Sequence, residues 1–136
     1  MPLRLSWDGD ARFIGENEGG ARITMEPGPA FGGSGKYPTP MELLAFALGG
    51  CTGMDVIFIL QKMRVDLKKL DIVIETTRRK KEPRYFEEIK MVYLFSGEGL
   101  TEAKARRAVD LSNEKYCSAG VMLREKAKIT YDIRIE

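Results

Sequence analysis

Apolar and polar residues alternate from the start of the chain. Leu3, Leu5 and Trp7 flank Arg4 and Ser6, the period-two pattern of a half-buried strand. Asp8-Gly9-Asp10 is a turn signal. Ala11 to Ile14 reads as a second strand, Asn17-Glu18-Gly19-Gly20 as a second turn and Arg22 to Glu26 as a third strand. Pro27 to Pro40 breaks the alternation with a Gly- and Pro-rich stretch, read either as a connector or as a loop lying over a pocket. The pattern then changes. Thr39, Pro40 and Glu42 form a capping box with proline at the first helical position, which predicts a helix from Pro40 to about Met63. Between Met41 and Leu60 only Glu42, Thr52 and Asp55 are clearly polar. A helix apolar nearly all round has to be enclosed by protein, and so short a chain encloses it most simply with a second subunit.

Alternation returns at Leu67 to Thr77 and at Tyr85 to Phe95, which read as two strands of a hairpin. The connecting run Arg78-Arg79-Lys80-Lys81-Glu82-Pro83-Arg84 reads as a solvated turn. A nucleic-acid patch would call for interleaved aromatics, which are missing. Thr101 caps an amphipathic helix predicted to end near Tyr116. Ser118 to Glu125 reads as a further short helical segment, and Lys128 to Glu136 as a closing strand. Strand runs separated by helices predict a single α+β domain over residues 1–136 with mostly antiparallel pairing. Its N-terminal strands and loop fill 1–35, and the central helix, hairpin, second helix and closing strand fill 36–136.

Composition narrows the chemistry. A hydrophobic fraction of 43% and a charged fraction of 31% argue for a folded domain over a disordered one. The net charge of +2 gives no pull toward nucleic acid or membrane. The first residues lack the apolar core of a signal peptide. Glu42, Asp55 and three glycines within the apolar run favour a core helix over a membrane span, so a cytoplasmic location is expected. No histidine is present, which removes Ser-His-Asp and Cys-His nucleophiles, and two cysteines are too few for a structural zinc site. No metal is expected. Any catalysis falls to thiols, carboxylates, Arg, Lys or Tyr.

Cys51 sits in the apolar helix and Cys117 just before a potential helix start, where the helix dipole favours thiolate. Each also reads as a small core residue, as free cysteines commonly are. Asp55 lies four residues after Cys51 on roughly the same helical face. Glu42 lies nine residues before it, on the opposite face. Gly49, Gly50 and Gly53 each cost a helix about 1 kcal/mol against Ala. They predict close approach of a second helix or a substrate around Cys51. Arg12, Arg22 and Lys36 are the cations considered for holding a thiolate at Cys51.

Thr39-Pro40-Met41-Glu42-Leu43-Leu44 and Leu48-Gly49-Gly50-Cys51-Thr52-Gly53-Met54-Asp55-Val56 resemble the central helix of the OsmC/Ohr family (osmotically inducible protein C and organic hydroperoxide resistance proteins). Leu111-Ser112-Asn113-Glu114-Lys115-Tyr116-Cys117-Ser118 resembles the surroundings of that family's second cysteine. The resemblance implies antiparallel sheets wrapped around a central buried helix in an intertwined homodimer. It implies reduction of organic hydroperoxides, with Cys51 attacking the peroxide oxygen as thiolate to become a sulfenic acid and Cys117 resolving it to a disulfide. An external dithiol would restore both thiols, and no cofactor is implied. Two departures stand out. Met41 occupies the position of the family's glutamate, with Glu42 one residue later, and the Gly-rich loop has no arginine, leaving Arg12 as the substitute. These departures resemble an OsmC-like branch. They keep open a second function, a non-enzymatic dimer that binds a small apolar ligand or senses redox state through its thiols.

Overall fold

The computed structural model describes residues 1–136, which form two compact units, Met1–Leu44 and Ala45–Glu136.

In the first unit three short strands, β1 (Arg4–Trp7), β2 (Phe13–Glu16) and β3 (Arg22–Met25), form an antiparallel meander. The first turn needs left-handed backbone at Gly9 (φ 89°) and Asp10 (φ 46°), which glycine and aspartate tolerate. In the second turn the Asn17 side-chain oxygen accepts from the Ala21 N–H at 2.9 Å. The second strand begins two residues later than its sequence pattern suggests. The expected half-burial of the first is not found, since Leu5 is 62% and Trp7 69% exposed. The alternation is present, but its apolar face is uncovered in a single chain.

The Gly-rich stretch is an ordered loop built on one carboxylate. Buried Glu26 accepts from the Ser34 hydroxyl at 2.6 Å and the Ser34 N–H at 2.9 Å. These bonds, the Ser34 hydroxyl foremost, hold its carboxyl below the usual range. Gly33 is the one residue that fits beside this turn, because a Cβ there would stand 1.8 Å from the Pro27 carbonyl oxygen. A group whose pKa is depressed by folding stabilises the fold above its unfolded value. That contribution fades as pH falls through the folded value. Acidification below about 4.3, the ordinary glutamate value, is therefore expected to loosen this loop first. Hydrogen exchange at the Ser34 and Gly33 amides checks this. Uniform exchange across the unit on acidification would contradict it.

Helix α1 (Pro40–Lys62) starts with the predicted capping box. The Glu42 N–H donates to Thr39 Oγ1 at 3.1 Å, and the Thr39 N–H donates to Glu42 Oε1 at 2.9 Å.

The second unit holds most of α1, followed by strands β4 (Asp66–Arg78) and β5 (Phe86–Glu98). Helices α2 (Glu102–Leu111) and α3 (Ser118–Leu123) come next, then strand β6 (Lys128–Ile135). β4 and β5 pair antiparallel as the expected hairpin, but β6 pairs parallel to β5, so the sheet is mixed. Strand direction is invisible to alternation. The helical connection from β5 to β6 is the kind a parallel pair requires. Leu48, Val56, Leu60, Ile89, Met91, Tyr93, Phe95, Ala105, Ala108 and Val109 are buried in the core.

The mid-helix glycines have a different partner from the one expected. A Cβ at Gly49 would lie 2.6 Å from Ile74 Cδ1, and one at Gly53 would lie 3.2 Å from Ile72 Cδ1, while Gly50 faces open space. The glycines therefore let α1 approach strand β4 closely. The helix is apolar on both faces but buries only one in the chain. Leu48, Thr52, Val56 and Leu60 are buried, whereas Phe46, Met54 and Phe58 are 61–64% exposed. The central helix is thus only partly enclosed by the rest of the chain.

A buried thiol pair as candidate functional site

Cys51 and Asp55 lie one turn apart on α1 and share a face. Cys117 is delivered by an irregular segment. The predicted continuous helix to Tyr116 stops being α-helical at Leu111, and Ser112–Tyr116 forms a single π-helical turn. The Cys117 N–H closes that turn on the Ser112 carbonyl at 2.7 Å. Such turns mark places where a helix is re-aimed for a specific side chain. Cys117 then caps α3, its sulfur accepting from the Gly120 N–H at 3.3 Å. The result places Cys51 Sγ, Cys117 Sγ and an Asp55 carboxylate oxygen all within 4.8 Å of one another. Both cysteines are free, Cys51 half-buried and Cys117 buried.

The capping geometry expected for Cys117 is present, but its expected consequence is not. Burial pushes the Cys117 thiol up to about 11. The Gly120 N–H opposes this shift only in part, while the hydrogen bond to Cys51 and the charge of Asp55 add to it. One backbone donor at the start of a six-residue helix does not offset removal from water. At neutral pH Cys117 keeps its proton and can donate it toward Cys51.

Asp55 is held from behind by a buried polar chain that sequence reasoning missed. Ser112 Oγ lies 2.8 Å from both Asp55 Oδ2 and Thr52 Oγ1. Thr52 Oγ1 lies 2.9 Å from the Tyr93 hydroxyl, and Asn113 Nδ2 donates to that hydroxyl at 3.4 Å and to the Val109 carbonyl at 2.8 Å. The sense of the chain follows from its ends. The amide NH2 only donates and the carboxylate only accepts, so each hydroxyl proton points toward Asp55. Burial raises the Tyr93 pKa, which keeps its proton in the chain. The signal for this network was Thr52, Ser112 and Asn113, polar residues inside otherwise apolar segments. Thr52→Val keeps the shape and removes the middle link. It is expected to cost about 1–3 kcal/mol, the penalty for stranding buried polar groups. Denaturant unfolding checks this, and Thr52→Ser should restore most of the loss.

The remaining sequence candidates, Arg12, Arg22, Lys36 and Glu42, sit in the first unit, where Arg22 pairs with Glu16 at 3.4 Å. Arg12 Nε pairs with Asp8 Oδ2 at 3.0 Å and its Nη2 donates to the Asp8 carbonyl. The hydrogen bond to the Asp8 carboxylate raises the guanidinium pKa. Glu42 is held in the capping box. Beside Asp55 a recess of about 320 Å³ is lined by Phe58, Ile59, Lys62, Leu111 and Tyr116.

Residues 33–132 match the family described as OsmC-like protein. The chain belongs to the OsmC-like family. Protein YhfA of Escherichia coli K12 is 39% identical to it over 136 residues, covering 99% of this chain and 98% of that protein. A crystal structure of a hypothetical protein from Aquifex aeolicus is 34% identical. Its TM-score is 0.83, with 99% of this chain and 96% of that one covered. An organic hydroperoxide resistance protein OsmC from Legionella pneumophila shares the fold at a TM-score of 0.72. It is 15% identical, with coverage of 98% and 95%. The OsmC-like motif around the first cysteine lies on α1, and that around the second spans the π-helical turn and the α3 cap.

Proposed function

We propose that this OsmC-like chain is a cytoplasmic, homodimeric thiol peroxidase that reduces organic hydroperoxides to alcohols. The observation that supports the reading most is the pair of free sulfurs less than 5 Å apart, with Asp55 of the same cluster lining a recess. Structural relatives described as organic hydroperoxide resistance proteins add to it.

Cys51, the more exposed thiol, attacks the hydroperoxide oxygen as thiolate. The O–O bond breaks, and the leaving alkoxide takes a proton from water to become the alcohol. Cys51 sulfur is oxidised to sulfenic acid. Cys117 gives up its proton, its sulfur attacks that of Cys51, and water is released as the disulfide forms. The Asp55 carboxylate is the nearest base in the cluster for that proton. An external dithiol then reduces the disulfide through a mixed disulfide. No metal or prosthetic group enters these steps.

Purified protein supplied with a dithiol should consume cumene hydroperoxide well above the rate of the dithiol alone. Equality of the two rates would overturn the proposal. A second reading, a ligand-binding or redox-sensing dimer without turnover, is favoured by the local engagement of Glu42 and Arg12. It predicts Cys51 alkylation no faster than that of a free thiol.

A further inference from the structure

We infer that Cys51, Cys117 and Asp55 together form a reversible site for a thiophilic divalent cation of the Zn2+ type, open only while both sulfurs are reduced. Three observations carry this. First, the donor set suits the ion: two sulfurs and a carboxylate oxygen match zinc and exclude magnesium or calcium, which prefer all-oxygen shells. Second, the spacing is close. Tetrahedral bonds of about 2.3 Å to sulfur and about 2.0 Å to oxygen put ligand atoms roughly 3.5–3.8 Å apart. All three donors here already lie within 4.8 Å of one another, so closure takes about 1 Å of side-chain movement.

Third, the donors are supported from behind. Ser112 donates to Asp55, the Thr52, Tyr93 and Asn113 chain orients Ser112, and the Gly120 N–H fixes the Cys117 sulfur. Outer hydrogen bonds of this kind hold metal ligands in place. None of the chain's ion pairs involves Asp55, so its carboxylate is not already tied to a lysine or arginine. Three protein ligands fall short of a closed structural site. They leave a fourth position for water, the arrangement of an exchangeable ion.

On the peroxidase reading, a bound cation occupies the sulfur lone pairs that attack peroxide, so the loaded protein is held inactive and protected from overoxidation. That consequence rests on the proposed function, whereas binding itself does not.

The test uses the reduced full-length protein without oxygen. Zn2+ is titrated against a chromophoric chelator, and Co2+ serves as a spectroscopic probe. The expected result is one ion per chain and a sulfur-to-cobalt charge-transfer band. Asp55→Asn should weaken Zn2+ at least roughly tenfold, the least that even outer-ligand changes cause. Protein oxidised to the disulfide should bind none, a control that needs no substitution and so no refolding. Substoichiometric binding, a missing cobalt band, unchanged affinity in Asp55→Asn or equal binding by the disulfide form would each overturn the inference. The chelator competition involves no peroxide. Failure of the peroxidase reading would therefore appear as Zn2+ binding without turnover, and failure of this one as turnover without Zn2+ binding.

Discussion

Cys51→Ser protein is expected to consume organic hydroperoxide no faster than the dithiol reductant alone, a loss of at least about 100-fold set by removal of the more accessible of the two thiols. The argument is one of access and proton position. Cys117 is 4% exposed and its thiol is pushed up to about 11, so it does not attack peroxide in place of Cys51. Cys117→Ser should behave differently. Without the dithiol it should reduce about one equivalent of peroxide and accumulate sulfenic acid at Cys51, because the sulfur that condenses with it is gone. Single-turnover peroxide consumption and trapping of the sulfenic acid with a dimedone-type reagent separate the two variants. Sustained turnover by Cys51→Ser, or a matching loss in both variants at the first equivalent, would reverse the assigned roles.

The second large effect concerns assembly. α1 presents Phe46, Met54 and Phe58 to solvent in the single chain, each more than 60% exposed, on a helix whose other face packs against β4. Burying one such side chain stabilises by about 1.5–3 kcal/mol. A row this apolar and continuous is the signature of an interface, not of a free surface. The β1–β3 sheet shows the same excess, with Leu5 and Trp7 uncovered. Wild-type protein is therefore expected to sediment at twice the 15.3 kDa chain mass. The double variant Phe46→Glu, Phe58→Glu should sediment as a single chain, unfold at lower denaturant and lose peroxide turnover. Two carboxylates forced into an apolar interface cost several kcal/mol each. A wild-type monomer stable at micromolar concentration would contradict this.

The sequence was most legible where local chemistry decides the outcome. The capping box at Thr39 and Glu42, the β4–β5 hairpin and the turn glycines are local, and each stands where the pattern puts it. The approach of Cys51 to Cys117 depends on how a helix and a distant connection pack. Motif resemblance pointed to it where spacing could not. Less legible were features set by packing alone. The π-helical turn at Ser112–Tyr116 looks helical in any periodicity, and the parallel direction of β6 leaves no mark on its alternation. The thiol state of Cys117 depends on a contest between burial and one short helix, which only the fold resolves. Helical spacing makes Asp55 a neighbour of Cys51. That it is the acceptor at the end of a buried hydrogen-bonded chain follows only once Thr52, Tyr93 and Ser112 are brought together.

The most direct measurement is to add one equivalent of cumene hydroperoxide to fully reduced protein, quench it and map the peptides without reductant. The account predicts one equivalent of alcohol and a single new cross-link joining Cys51 to Cys117 within one chain. Unreacted thiols, or a disulfide joining Cys51 of one chain to Cys51 of another, would contradict it.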